Sequence, residues 1–403
     1  MRVAVIGAGI AGLGAAYLLT RAGYEVEVLE REPRAGGHTR TIRRDGLALD
    51  TGFLVHNEPN YPYLTRLFRE LGVRTQPSEM SFSVSCPCGL EYSGRRPFAQ
   101  HRRLGDPRFL ALLWEIGRWL RTARRSLDRR DCESLALGAY LDEHGFSPRF
   151  RRHFLVPLTS ALWSTAPGLA LDFPAAHAIR FFDNHGMLGF RRFPWRAVTG
   201  GSDTYVAAVL ARLGDSTRLG LPARAIRRSA DGVEVTAADG ETRRYDRAVV
   251  ATHADEALAL LSDPTADEQR LLGAWRYTAN EVILHTDDTL LPRVPAARAS
   301  WNYRVGDDDR PTITYSLNRL QRLEAVEEYC VTLNGSVRDD RVLDRGVLRH
   351  PLYTLDSLAT QRELPALSGV RNTAFAGAYH GNGFHEDGLA AAVRAVRAFG
   401  VQW

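Results

Sequence analysis

Arg2-Val3-Ala4-Val5-Ile6-Gly7-Ala8-Gly9-Ile10-Ala11-Gly12 is the stretch that decides the fold. Its first five residues form a short apolar run of the kind buried on both faces of a parallel sheet. G-x-G-x-x-G follows at once. Residues 13–22 then keep a helical pattern up to Gly23, a helix stop signal. Residues 25–30 (EVEVLE) alternate as a second strand. The unit is the start of a βαβ fold that binds a dinucleotide. Gly7 permits the tight turn, Gly9 lets backbone approach a pyrophosphate, and Gly12 allows close helix–strand packing. Ile10 and Ala11 stand in the first helical turn, whose N–H groups and positive dipole end attract phosphate. Glu30 lies 18 residues after Gly12, where an acid accepts from a ribose hydroxyl, and Arg31 beside it is assigned to the same cofactor.

The surrounding composition is that of a globular protein of two or three domains: 403 residues, 44% hydrophobic and 25% charged. Net charge is only +5, and all 52 basic residues are arginine. The absence of lysine excludes a Lys Schiff base, a Lys general base and a P-loop. Four cysteines are too few for a disulfide framework. Cys86-Pro87-Cys88 lacks a second pair at zinc spacing and reads as a turn, so no metal is expected. No leader peptide and no span of about 20 apolar residues is evident. The expected compartment is a reducing cytoplasm, with an option of peripheral membrane attachment.

Helical spacing predicts helices over 104–130, 134–144, 149–162 and 204–213. Strands are expected at 232–237 and 245–251, joined through Asp239-Gly240, and at 281–285 and 312–317. The C-terminal part reads as a strand at 373–376, a loop at 377–388 and a helix at 389–399. The fold expected is α/β, a Rossmann-like domain interrupted by a mixed α+β substrate domain. The nucleotide domain is assigned 1–80, 199–272 and 355–403. The substrate domain is assigned 81–198 and 273–354.

A second glycine pair, in Arg34-Ala35-Gly36-Gly37-His38-Thr39, follows the acid, and Asp50-Thr51-Gly52-Phe53 adds a further close-approach glycine. In these motifs the sequence resembles the flavin amine oxidase superfamily. Val249-Val250-Ala251-Thr252-His253 looks like that superfamily's strand returning to the cofactor. Phe375-Ala376-Gly377 and Glu386-Asp387-Gly388-Leu389 look like its C-terminal flavin-contacting turn and helix. The resemblance implies FAD, not NAD, as cofactor, with Ala223 completing the contact set. A helix start near Gly388 would point its positive end at the flavin. The strings DTGFLVHNEPNYP, ALWSTAP, RFFDNHGML, ASWNY and GAYHGNGFHEDGL are similar to a bacterial subgroup associated with cyclopropane fatty acid synthases. That neighbourhood implies a hydrophobic, acyl or lipid-like substrate and a methyltransferase partner.

Three departures from the family pattern matter. A Lys–water–flavin contact is impossible without lysine. The C-terminal loop has no cysteine for covalent attachment, so FAD is expected to be non-covalent. Ala378 stands where relatives often have a ribityl-binding acid, a role left to Glu386 or Asp387. Tyr379, His380 and His385 form the richest polar cluster and are the catalytic candidates, with Trp301 or Tyr315 as the second ring beside the flavin. The expected activity is dehydrogenation of a C–C or C–X bond by hydride transfer. The alternatives are a flavin-dependent double-bond isomerase, a flavin-binding scaffold for a methyltransferase, and an amine oxidase lacking the lysine.

Residues 95–152 hold 14 Arg against seven Asp and Glu. Beside an apolar stripe with Trp114 and Trp119, this basic excess points to an anionic membrane or an acyl carrier protein. Nucleic acid is not expected, since no reading module is present.

Overall fold

The computed structural model describes residues 1–189, 193–306 and 311–403. Arg2–Ile6 is a fully hydrogen-bonded central strand, parallel to Glu25–Leu29 on one side and to Arg247–Val250 on the other. Thr217–Arg218 and Thr373–Phe375 complete a five-stranded parallel sheet. Its strands therefore come from three separated parts of the chain. Val3, Val5, Val28 and Val249 are completely or almost completely buried, as strands covered on both faces require. The fingerprint helix, Ile10–Arg21, lies on one face with Ile10 through Leu19 buried. The C-terminal helix, His385–Arg397, packs against it so closely that a Cβ on Gly14 would collide with Leu389.

A second sheet has seven strands, in the order Val342–Leu352, Arg276–His285, Cys330–Leu333, Thr312–Ser316, Trp301–Arg304, Phe82–Ser85 and Glu91–Ser93. Only Trp301–Arg304 and Phe82–Ser85 run parallel. A helical layer accompanies it, in which Trp119 of the Arg-rich helix Pro107–Arg129 sits among the rings of Tyr140, Phe146, Phe150 and Phe182. Asp106 caps that helix by accepting from the N–H groups of Arg108 and Phe109. No helix among the described residues is long and apolar enough to cross a membrane.

Three expectations about elements need correction. The Asp239-Gly240 turn joins Gly232–Ala237 to Thr242–Tyr245, not to the next strand. Arg247–Val250 instead enters the parallel sheet, because Asp246 ends the hairpin by tying its carboxylate to the N–H of Arg2. The helix over 149–162 is interrupted: Pro148–Phe150, a π-helical turn Arg151–Leu155, and Val156–Trp163 follow one another. Pro157 lacks the N–H that an uninterrupted helix would use. The C-terminal helix starts at His385, earlier than expected, since the Asp387 carboxylate accepts the N–H of Phe384 at 2.9 Å and caps the chain upstream of Gly388.

Candidate active site

The phosphate end is built by backbone. Gly7 has φ +100°, and a Cβ there would come within 2.8 Å of the Ala251 carbonyl oxygen. A Cβ on Gly12 would collide with the Gly7 carbonyl. Gly9 differs: the nearest atom to a Cβ there is the Gly37 Cα at 4.0 Å, so the space in front of it is open. Ile10 and Ala11 begin a helix with no side-chain cap and no acid in its first turn, which leaves their N–H groups for an anion. The second glycine loop clasps the first, with Gly36 N–H donating to Ala8 O at 2.8 Å. Arg34 braces this loop by donating to the carbonyls of Gly37 and Thr39. Glu30 is buried and accepts from the N–H groups of Ala8 (2.6 Å) and Glu32 (2.9 Å). Leu221 donates to the Glu30 carbonyl, which brings the strand beginning at Ala223 beside the acid. Arg31 points elsewhere, into an ion pair with Glu256 at 2.8 Å.

Beyond the glycine loops the walls are imidazoles and hydroxyls. His38 is packed edge-on against His350 (5.2 Å) and His253 (6.1 Å). Burial holds His38 well below the usual imidazole range and brings His350 down to about 4, so both are neutral at pH 7. Gly52 leaves room for the His38 carbonyl, and Phe53 stacks on His385 at 4.0 Å. Thr39 Oγ1 meets the Tyr205 hydroxyl at 2.7 Å and His385 Nε2 at 2.8 Å. His385 is pushed down to about 3 by burial. Asp50 is a buried clamp that accepts from Thr41, Ser202 and Gln321, with burial raising it to about 6.

The C-terminal loop is held from three sides. Trp163 donates to the Asn382 carbonyl at 3.0 Å, Tyr353 to the Gly381 carbonyl at 2.9 Å, and Gln361 to the carbonyls of Tyr379 and Gly381. Gly377 accommodates the Tyr379 ring, which a Cβ would strike. Tyr379 is buried against Trp275, and its hydroxyl has no partner within the protein. His380 Nε2 is also buried without a partner, and burial lowers this imidazole to about 3. Glu386 accepts from the N–H groups of Tyr63 (2.8 Å) and Leu64 (2.9 Å), at the start of the helix Pro62–Leu71. Burial raises Glu386 to about 7 and Asp387 to about 6. Gly388 and Leu389 serve the helix–helix contact; a Cβ on Gly388 would be 2.9 Å from Ile10 Cγ2.

The structure therefore gathers Tyr379, His380, Glu386, Asp387 and Gly388 on one loop and helix start, and His385 beside Thr39 and Phe53. It does not bring Trp301 and Tyr315 to them. Those two rings are cross-strand partners 5.0 Å apart in the seven-stranded sheet, with no ring contact or hydrogen bond to the C-terminal loop among the described residues. Besides Trp163 and Trp275, the rings at the loop are its own Phe384, stacked on Phe181 at 4.8 Å, and Tyr353, stacked on His177 at 4.8 Å. Sequence reasoning missed both. The available signals were an aromatic residue immediately before a glycine-led helix start and the His350-Pro351 step at a strand end.

The profile of flavin containing amine oxidoreductases matches residues 10–399. A Mycobacterium tuberculosis (strain CDC 1551 / Oshkosh) protein named as a flavin-containing monoamine oxidase, AofH, is 29% identical over 297 residues, 68% of this chain and 62% of the relative's length. The match thus spans less than two thirds of that relative. Putrescine oxidase bound to putrescine superposes with TM-score 0.73 at 16% identity over 99% of both chains. A CLA-producing fatty acid isomerase from P. acnes does so with TM-score 0.72 at 17% identity, also over 99% of both. The residues present fit FAD: an open cradle at Gly9 backed by free helix N–H groups, the Glu30 carboxylate beside it, and the unpartnered Tyr379 hydroxyl and His380 Nε2 at the far end.

Proposed function

This chain belongs to the flavin containing amine oxidoreductase family, whose cofactor is FAD, and from that premise we propose that it is a FAD-dependent oxidoreductase that dehydrogenates a C–C or C–X bond of a hydrophobic, acyl or lipid-like substrate. The observation that carries the substrate class is the wall facing the C-terminal loop. There Trp163 packs on Phe173 and Phe181 at 4.4 and 4.9 Å, Phe181 stacks on Phe384 at 4.8 Å, and His177 stacks on Tyr353 at 4.8 Å. The two acids at the loop, Glu386 and Asp387, are committed to backbone N–H groups. A ring wall whose nearest carboxylates are already engaged favours an apolar chain over a cationic amine.

FAD supplies the hydride acceptor. Gly7, Gly9, Gly12 and Glu30 would hold its phosphate and ribose end, without a covalent link. The aromatic wall excludes water and positions the substrate carbon. His380 is neutral, and its open Nε2 accepts the proton that leaves the neighbouring carbon. Its low basicity means that this C–H must first be made acidic by departure of electron density from its neighbour. The exposed face of the Arg-rich helix, with Leu110, Trp114, Arg121 and Arg125, would rest on an anionic membrane that holds such substrates. Arg118 and Arg124 contribute less to that face, because they donate to the carbonyls of His144, Gly145 and Leu188.

Anaerobic mixing tests the proposal. Phospholipids with unsaturated acyl chains should bleach the flavin absorbance stoichiometrically, and putrescine and cyclohexylamine should not. A shifted double bond without net bleaching would replace dehydrogenation by isomerisation. Bleaching by the amines alone would overturn the substrate class.

A further inference from the structure

We propose that Cys86, Cys88 and His153 form a binding site for a thiophilic d10 cation, Zn2+ or Cu(I), with one coordination position open to solvent. The site lies away from the flavin cradle, between the Phe82–Ser85/Glu91–Ser93 hairpin and the π-helical turn Arg151–Leu155.

The three ligand atoms, two Sγ and the imidazole Nε2, all lie within 4.8 Å of one another. Cys88 Sγ is 3.5 Å from His153 Nε2. With Zn–S of about 2.3 Å and Zn–N of about 2.0 Å, a tetrahedral centre places sulfur and nitrogen about 3.5 Å apart. That edge is already set.

The imidazole is oriented for metal. His153 Nδ1 is 3.1 Å from the Arg149 carbonyl oxygen. A carbonyl only accepts, so Nδ1 carries the proton and Nε2 presents its lone pair to the thiols. Metal-bound histidines are fixed in the same manner by an outer partner. The Tyr92 hydroxyl donates to the His153 carbonyl at 2.7 Å and anchors the same residue's backbone. The π-turn supplies the register, and single π-turns within helices are frequent at functional sites.

The thiol side is equally prepared. The N–H of Cys88 donates to Cys86 Sγ at 3.2 Å, a bond that fixes the position of that sulfur. Gln100, Arg102 and Arg103 all donate to the Gly89 carbonyl, which holds the turn in shape without a metal. Cys86 and His153 are buried and Cys88 is exposed, so an ion has an entry path. Two thiolates and an imidazole suit Zn2+ and Cu(I) rather than Mg2+ or Ca2+. The expectation of no metal rested on the missing second cysteine pair; the third ligand arrives from 65 residues further along the chain. Glu91–Ser93 is the outermost strand of the seven-stranded sheet, so a bound ion would pin the turn beside that edge to the helical layer.

The test uses the full-length flavin-loaded protein, reduced, stripped of metal with a chelator and kept anaerobic. It is titrated with Co2+, Zn2+ and Cu(I) against competing chromophoric chelators. One equivalent of Co2+ should give tetrahedral ligand-field bands at wavelengths beyond the flavin absorption, and Zn2+ should abolish them. Cys88→Ser, at the exposed ligand, should weaken Zn2+ binding by about tenfold or more while leaving the melting temperature of the metal-free protein unchanged. The ion retained at about one equivalent by protein purified without chelator identifies the resident metal. A second readout is alkylation of Cys88 in the wild type, which a stoichiometric metal should slow about tenfold. Absence of the cobalt bands, equal Zn2+ affinity in Cys88→Ser, or alkylation indifferent to metal would each overturn the site.

Discussion

The two strand–turn–helix units near the ends of the chain lie in one sheet and pack helix against helix, yet they treat the helix N-terminus in opposite ways. The fingerprint helix begins straight after Gly9, with no side-chain cap and no acid in its first turn. The C-terminal helix begins after a long polar loop, with Glu386 and Asp387 in its first turn. A helix start carries about half a positive charge and unpaired N–H groups. At the first unit these are left for an incoming anion. At the second two carboxyl groups stand in the first turn, Asp387 taking the N–H of Phe384 just before the helix and Glu386 those of Tyr63 and Leu64 at the start of Pro62–Leu71, so an incoming phosphate would meet acids there. On the proposed function the diphosphate would lie at the bare helix and the ring towards the acid-bearing one.

Two glycines of the bare unit should fail differently if it is reserved for a ligand. Gly12→Ala forces a Cβ into the Gly7 carbonyl. It should destabilise the protein itself by more than about 4 kcal/mol, seen as a large fall in melting temperature with or without FAD. Gly9→Ala should leave the melting temperature of FAD-free protein within about one degree, yet weaken FAD in calorimetric titration by about tenfold, or about 1.4 kcal/mol. Unchanged FAD affinity in Gly9→Ala would break the comparison.

Glu30→Ala should weaken FAD by about 1.5–3 kcal/mol, on the order of ten- to a hundredfold, the range for bonds to a charged group. The same titration checks it.

The acid-bearing unit should announce itself through pH. Burial raises Glu386 to about 7 and Asp387 to about 6, above their unfolded values, so these two carboxyls bind more protons in the folded protein than in the unfolded chain between these limits. Their contribution to stability must then fall as pH rises through that window, by up to about 1.4 kcal/mol per pH unit for each carboxyl, while the buried neutral His38, His350, His380 and His385 act in the opposite sense. The melting temperature of the wild type minus that of Glu386→Gln, which keeps an acceptor for Tyr63 and Leu64, should decline from about pH 5 to about pH 8. Equal slopes would show that Glu386 is not held protonated by its surroundings.

The smallest effect belongs to neither unit. Arg121→Gln should reduce co-sedimentation with anionic vesicles by about 1 kcal/mol, roughly fivefold, and leave flavin content untouched. A loss of flavin would show that the Arg-rich helix communicates with the cradle.

The bare unit was legible in the sequence because its chemistry is backbone chemistry: Gly7, Gly9 and Gly12 impose their geometry within a single turn. The acid-bearing unit was legible only as a polar cluster. Glu386 finds its partners at Tyr63 and Leu64, more than 300 residues away, and no local pattern encodes that pairing. The strand character of Trp301 and Tyr315 was equally plain, but a period-2 pattern does not say which sheet a strand joins. Their sheet placed them against each other, and the loop drew Phe384 and Tyr353 instead. His153 escaped notice for a further reason: a π-turn shifts register by one residue, which helical spacing does not anticipate.

Gly14 and Leu389, like Ile10 and Gly388, fit together only because one partner of each pair lacks a side chain. That seam joins the helix Ile10–Arg21 to the helix His385–Arg397, which leaves the ribosome long after it. While the polypeptide is still growing, the fingerprint helix has its glycine loop but neither the neighbouring strand Thr373–Phe375 nor the helix that covers it. Flavin capture would thus follow synthesis of that second helix, and a nascent protein stalled before residue 385 would emerge colourless.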